Sequence, residues 1–240
     1  SRVIDYMGKK EVKQKAKISN DNKTDKSSKK SPIWFYAVMI LIPVVFIVGL
    51  EVLLRFLNYG YDFQQFITTS NYHKDKIFLN PDLPRKYFFN IKSSPSVLPD
   101  GFDIQKKDNA FRVFVLGESS AAGWPYVPNA SFPRHIKRKL ELLYPQNTIE
   151  VINCSMSAIN TYTLRDFVPG ILEQKPDLVL IYTGHNEYYG ALGVGSSVSL
   201  CYSRALVNTY IKLIDFKTTQ LLQNIVSSIY GLFRSSDEKG

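Results

Sequence analysis

The sequence predicts an α/β domain built on a parallel sheet and preceded by one membrane-spanning helix. Three observations support this fold class. Residues 33–50 carry no charge, short apolar segments alternate with helical segments between residues 111 and 182, and each apolar segment ends in small and polar residues. Strands that alternate with helices are typical of parallel sheets with right-handed crossovers.

The apolar run, IWFYAVMILIPVVFIVGL, is long enough to cross a bilayer. Its eighteen residues make about 27 Å of helix at about 1.5 Å per residue, close to the thickness of the hydrocarbon layer. Aromatic residues 34–36 stand where an aromatic belt would lie, and a proline such as Pro43 is tolerated in membrane helices. We therefore predict a transmembrane helix over residues 33–57, in contact with membrane lipid.

Two alternatives compete with a membrane anchor. A buried helix of a soluble domain has a similar composition. A cleaved signal peptide is apolar too, but it normally has a shorter apolar core and a cleavage site of small residues. Residues 51–56 (EVLLRF) offer no such site.

The positive charge of the chain is concentrated in its first 32 residues. This tail holds ten Lys and Arg residues against four acidic ones, which is +6 of the total net charge of +9. Since the rest of the chain is nearly neutral, we expect no nucleic-acid partner. Lysines before an apolar span favour a cytoplasmic N-terminus, so the chain after residue 57 is expected outside the cytoplasm.

The sequence divides into four parts: a basic tail (1–32), the membrane helix (33–57), a connector rich in Pro, Asn and Lys (58–110), and a domain (111–240). Within the domain, the apolar patterns predict strands at 111–116, 148–153 and 178–182, helices at 132–144 and 164–174, and one or two amphipathic helices between 204 and 233. The two cysteines, Cys154 and Cys201, permit at most one disulfide and lack the spacing of a metal site.

Small and polar residues follow each predicted strand, as GESSAAG (117–123), NCSMSA (153–158) and GHNE (184–187). The carboxyl ends of parallel strands form one edge of the sheet, where ligands bind. Ser119, placed just after a strand, is suited to nucleophilic attack, with backbone N–H groups available to the oxyanion. A small-residue turn with no chemical role is the alternative for the first segment taken alone.

Two other motifs do not fit the first segment. A phosphate-binding P-loop requires Gly-Lys-Ser/Thr at its end, and here Trp124 follows Gly123. The nucleophile elbow of α/β-hydrolases requires G-x-S-x-G, and here Ala121 replaces the second glycine.

Together the three segments resemble the named blocks of the SGNH/GDSL hydrolase family, over residues 111–195. The first block, Gly-Asp-Ser, matches residues 117–119, with a glutamate in place of the aspartate, so the resemblance makes Ser119 the nucleophile. The second, Asn-Ala-Ser-x-Ser-Gly, matches residues 153–158 and makes Ala158 a backbone oxyanion donor. The third, Gly-x-Asn-Asp, matches residues 184–187 and makes Asn186 the side-chain oxyanion donor.

The resemblance implies a three-layer, flavodoxin-like parallel sheet and a serine esterase or acyltransferase acting on acyl esters, with those of cell-surface glycans as candidate substrates. The GHNEYYG run resembles membrane-anchored bacterial members, which implies a single-pass protein of the bacterial inner membrane with a periplasmic domain. No cofactor or metal is implied. The alternative is a non-catalytic, membrane-anchored interaction module on the same scaffold.

The family's fourth block, Asp-x-x-His, supplies the general base, and this sequence does not contain it. Its three histidines, His73, His135 and His185, lack an aspartate three positions earlier. We expect the sequence to stop before the last strands and the base, so that the sheet within these 240 residues is incomplete. A base supplied in another way and a degenerate non-enzyme are the alternatives.

Overall fold

The computed structural model describes residues 32–68, 73–88, 94–127, 129–193, 195–196 and 203–237, with side chains through residue 229. The described chain divides into two compact units, the first ending at Val48 and the second beginning at Gly49. The helices are α1 (Ile33–Phe56), α2 (Pro84–Tyr87), α3 (Ser119–Ala122), α4 (Phe132–Leu143), α5 (Thr161–Leu172), α6 (Arg204–Leu213) and α7 (Lys217–Asp237). The strands are β1 (Phe66–Ile67), β2 (Lys76–Leu79), β3 (Gly101–Asp103), β4 (Ala110–Gly117), β5 (Thr148–Asn153) and β6 (Leu178–Tyr182).

Helix α1 confirms that the N-terminal apolar run is helical. It has 24 residues and continues through Pro43 without a break. It is long and apolar enough to cross a membrane, and only 6% of its most apolar window is buried. Such exposure argues against the core helix of a soluble domain and leaves a membrane anchor or a signal sequence. The basic tail lies outside the described residues.

One of the two sheets of the second unit is parallel and confirms the α/β class. Its order is β5-β4-β6, and β4 pairs in parallel with both neighbours, so that Val113 lies opposite Val151 on one side and Leu178 on the other. The middle of β4 is fully buried, as expected for the central strand of a parallel sheet. The finer SGNH-type arrangement stays a prediction.

Alternate residues of β4 face two different cores, as the period of two in a strand requires. Phe114 and Leu116 join the larger core, which includes residues of α5. Val113 and Val115 face the smaller core, against which residues of α4 are packed. The sheet therefore has a helix on each face. The ends of its strands lie at the border of this arrangement, next to both helices.

The connector between residues 58 and 110 forms short elements that the sequence pattern did not predict. Strands β1, β2 and β3 make a small antiparallel sheet in that order. Phe66 and Phe102 contact Phe114 of the central strand edge-on, with ring centroids 5.8 and 5.3 Å apart respectively. The hydroxyl of Tyr87 in α2 donates a hydrogen bond of 2.6 Å to Asp166. The connector thus contributes to the main core.

Strand β6 is one of the two outer strands of the parallel sheet in the part of the chain that the structure describes. Its apolar side chains are only partly covered: Leu178 is 40% exposed, Ile181 61% and Tyr182 47%. Parallel sheets are normally covered on both faces by helices. This edge is therefore an exposed apolar border of the sheet.

Candidate active site

Ser119 is the first residue of α3, directly after the central strand. Glu118 precedes it in an extended conformation, and α3 ends at Ala122 and is followed by Gly123, whose φ of 97° is left-handed. Gly117 ends the strand where the chain is crowded, since a Cβ there would lie 2.5 Å from the carbonyl oxygen of Tyr182 and 2.5 Å from the Cβ of Ala121. A glycine is therefore required for β4 and β6 to end side by side.

The carboxylate of Glu118 joins the first predicted block to the third. It is 1% exposed and accepts hydrogen bonds from the Thr183 hydroxyl (2.7 Å), the Gly184 N–H (3.0 Å) and the His185 N–H (3.1 Å). Burial acts to raise the pKa of this carboxyl, but these donors outweigh it and hold the pKa below its ordinary value. Glu118 is therefore ionised at neutral pH and fixes the turn beside Ser119.

Asn153, at the end of β5, joins the second block to the first. Its Nδ2 donates to the carbonyl of Ala121 (3.0 Å), and its Oδ1 accepts from the N–H of Ser155 (3.1 Å). The N–H of Met156 donates to the carbonyl of Gly117 (3.1 Å). These three bonds hold the second turn against the start of α3.

Ala158 has φ of 58°, in the left-handed region that favours glycine. Its carbonyl accepts a hydrogen bond of 2.8 Å from the N–H of Ala191, and the residue is exposed. This is the position where the resemblance expects glycine, and the alanine here adopts a conformation that glycine adopts without strain.

The third block is fixed to the beginning of α5. Oxygens of the Glu187 carboxylate accept from the Thr161 N–H (3.2 Å) and from its hydroxyl (2.8 Å). The carbonyl of Asn186 accepts from the Gly190 N–H at 2.6 Å. Asn186 is half-buried, and these hydrogen bonds of its own carbonyl and of the Glu187 side chain fix the backbone around it. Sequence reasoning missed Thr161 and, although it placed Asn153 in the second block, it missed the hydrogen bond of Asn153 to Ala121. Both roles depend on contacts with distant parts of the chain.

Several groups at this edge are free to meet a ligand. Within the described part of the chain, the Ser119 hydroxyl, the Asn186 side-chain amide, and the backbone N–H groups of Ser119 and Ala158 have no hydrogen-bond partner. These are the four groups that the resemblance assigns to the nucleophile and the oxyanion donors. The structure places them on the three neighbouring turns, and their roles stay predictions.

Of the three histidines, His185 belongs to these turns. Its Nδ1 is 3.5 Å from Oε2 of Glu118, its side chain is 62% exposed, and its ring centroid is 5.7 Å from that of Tyr182. His135 is exposed on α4, and His73 is exposed in the connector, where it contacts Phe78. An imidazole near a carboxylate supplies two of the three groups of a Ser-His-Asp triad.

Cavities lie elsewhere on the molecule. One of about 320 Å³ is lined by Lys106 and Asp177, and one of about 380 Å³ by Lys107 and Glu150; neither is lined by a residue of the three blocks.

One cysteine of the three blocks, Cys154, lies at this edge. Cys154 is a buried free thiol, and burial raises its pKa well above the ordinary value. Cys201 lies outside the described residues. Within the described residues no group of three His, Cys, Asp or Glu side chains could hold a metal ion.

Comparison with known families found no model that matches the chain, and comparison with curated proteins found no match. The SGNH/GDSL resemblance therefore stays a prediction that rests on the residues of the three blocks.

Proposed function

We propose that the chain belongs to a membrane-anchored serine esterase or acyltransferase that acts on acyl esters outside the cytoplasm. One observation carries the proposal: the Glu118 carboxylate, adjacent to Ser119 in the chain, accepts hydrogen bonds from the Thr183 hydroxyl and from two N–H groups of the third block, which links the turn of Ser119 to the turn of Asn186. A buried carboxylate used in this way is costly unless fully bonded. Such an arrangement fits a site in which the turn that carries Ser119 must keep a fixed position relative to the turn that carries Asn186.

The chemistry follows from the free groups on the turns. The Ser119 hydroxyl attacks the ester carbonyl and forms a tetrahedral oxyanion. The N–H groups of Ser119 and Ala158 and the amide of Asn186 donate hydrogen bonds to that oxyanion, which stabilises it most in the transition state. The alcohol leaves, and water or an acceptor alcohol then takes the acyl group from the serine.

A general base must accept the proton of Ser119 during the attack. The resemblance assigns this role to a His of an Asp-x-x-His block, which the sequence of 240 residues does not contain. His185 lies beside Glu118, so it is the described imidazole available to take that part. Whichever group acts as the base, it accepts the proton of Ser119.

The location follows from α1 and the tail. An apolar helix preceded by a lysine-rich tail favours a cytoplasmic N-terminus and a domain on the other side of the membrane. The resemblance of the GHNEYYG run to membrane-anchored bacterial proteins makes that membrane the bacterial inner membrane and the domain periplasmic. Acylated cell-surface glycans are substrates of the right chemistry for that side of the membrane. Nucleic acid plays no part in this proposal.

Labelling with a fluorophosphonate tests the nucleophile. Membranes of cells that express the gene at its natural length are treated with a fluorescent fluorophosphonate, and the labelled protein is measured. Ser119→Ala should abolish labelling, because only an activated serine forms the covalent adduct. The matched control is Ser120→Ala, the exposed neighbour, which should keep it.

Two results would contradict the proposal. Equal labelling of Ser119→Ala and the parent would place the nucleophile elsewhere. An unlabelled parent that melts cooperatively would favour the non-catalytic interaction module.

A further inference from the structure

Four apolar side chains in the described part of helix α7 lie on the side that faces away from the domain. They are exposed by about half: Leu222 (61%), Ile225 (47%), Val226 (56%) and Ile229 (49%). Their spacing of three, four and seven residues places them on one side of the helix.

The polar side of α7 faces the domain. Gln220 is 5% exposed, and its Nε2 donates to the carbonyl oxygens of Tyr61 (3.1 Å) and Ile214 (3.0 Å). Asn224 donates a hydrogen bond of 2.8 Å to the hydroxyl of Tyr59. A surface helix ordinarily turns its apolar side inwards, so the orientation of α7 is inverted, and its apolar side is left uncovered by the described part of the chain.

The start of α7 is attached to the end of α1. The Glu51 carboxylate accepts hydrogen bonds from the N–H groups of Lys217 (3.1 Å) and Thr218 (2.9 Å) and from the Thr218 hydroxyl (3.0 Å). These N–H groups belong to the first turn of α7, which has no partners within the helix. Glu51 and Arg55 are the first charged residues after the apolar run, so they mark where α1 leaves the hydrocarbon layer.

The charge of α7 suits the surface of a membrane. Before its last residue, Asp237, the helix has two basic residues and no acidic one. Helices that lie on membranes combine an exposed apolar stripe with basic rather than acidic residues, because many lipid headgroups are anionic.

We propose that α7 lies on the membrane surface that α1 enters, with Leu222, Ile225, Val226 and Ile229 at the boundary between headgroups and acyl chains. The occupant of the exposed apolar side is lipid, because the helix begins beside the point where α1 emerges. This inference rests on the proposal that α1 is a membrane anchor. Attachment at two points would fix the orientation of the domain towards its substrate.

Fluorescence quenching by brominated lipid tests the contact. The 240-residue chain with Cys201→Ser receives a bimane probe at one new cysteine, while the buried Cys154 is left unlabelled. The probe positions are Ile225→Cys on the apolar side, Ser227→Cys on the other side as matched control, and Phe46→Cys within α1. Vesicles contain phosphatidylethanolamine and phosphatidylglycerol with bromine on the acyl chains. Quenching at residue 225 should exceed that at residue 227 by at least about twofold.

The three probe positions distinguish the proposal that α1 is a membrane anchor from the proposal that α7 contacts lipid. Strong quenching at residue 46 with equal quenching at residues 225 and 227 would overturn the lipid contact, leave the anchor, and assign the apolar side of α7 to a protein partner. Absence of quenching at residue 46 would overturn the anchor and this inference with it. Equal melting temperatures of the labelled variants show that the probes report on the folded chain.

Discussion

Ala158 adopts a left-handed backbone conformation, which causes steric strain at this residue. With φ of 58°, its Cβ approaches the following carbonyl, which costs about 1–2 kcal/mol. A glycine would remove that strain, but it would lose about 0.5–1 kcal/mol through the greater freedom of the unfolded chain. The two effects nearly cancel, and both residues supply the same N–H. Ala158→Gly is therefore a change that leaves the proposed oxyanion donor in place.

Asn186 supplies a side-chain donor, which its substitution removes. We expect Asn186→Ala to slow fluorophosphonate labelling or ester turnover of the protein of natural length by about 100- to 1000-fold, or roughly 3–4 kcal/mol of transition-state stabilisation. Ala158→Gly, the matched control, should react at nearly the parental rate. Labelling of Asn186→Ala at the parental rate would show that the third block is a structural turn.

At the scale of elements, the Glu118 carboxylate connects the ends of β4 and β6. Replacement by glutamine keeps the size of the side chain but presents an N–H₂ group to backbone N–H donors. We expect Glu118→Gln to lower the free energy of unfolding at pH 7 by about 1–3 kcal/mol, because a buried donor is left without an acceptor. Urea unfolding measures the loss, and Glu173→Gln, a change at an exposed carboxylate, is the control.

The same carboxylate predicts a dependence on pH. Since the pKa of Glu118 is lowered on folding, its stabilisation is fully present above the pKa of the unfolded chain and is lost as pH falls through the lower, folded pKa. The difference in unfolding free energy between the parent and Glu118→Gln should therefore shrink at acidic pH. A difference that stays constant down to acid denaturation would show that the charge of Glu118 does not hold the turn.

Periodicity predicted the long elements and failed for the short ones. The predicted strands at 148–153 and 178–182 agree with β5 and β6, because their apolar residues pack within a regular sheet. Strands β1 to β3 have only two to four residues, too few for a period to be visible. They form because side chains such as Phe66 and Phe102 contact β4, which lies later in the sequence.

The sequence was sufficient to predict where the candidate site lies, but not the hydrogen bonds that join its three turns. Placing Ser119, Ala158 and Asn186 after successive strands predicted that they lie along one edge, and the parallel sheet brings their turns together. The bond from Thr183 to Glu118 joins residues 65 positions apart, and no local pattern encodes a contact of that kind. The identity of the base depends on such long-range contacts as well.

At the scale of the whole molecule, the lysine-rich tail and α1 predict the topology. A protease added to intact spheroplasts should degrade the chain after residue 57 and spare the tail, because lysines favour the cytoplasmic side. Immunoblots with antibodies to the tail and to the domain measure the two parts, and detergent-lysed cells are the control in which both are degraded. Protection of the region around Ser119 in sealed spheroplasts would contradict this topology.

The exposed border of the sheet at β6 affects how the chain behaves in solution. Leu178, Ile181 and Tyr182 are apolar and partly uncovered, and no strand pairs with the outer side of β6 in the described part of the chain. An apolar edge strand with free backbone groups is a template for intermolecular pairing and aggregation. A purified 240-residue chain would therefore self-associate as its concentration rises. Ile181→Lys would place a charge on this edge strand and reduce the self-association.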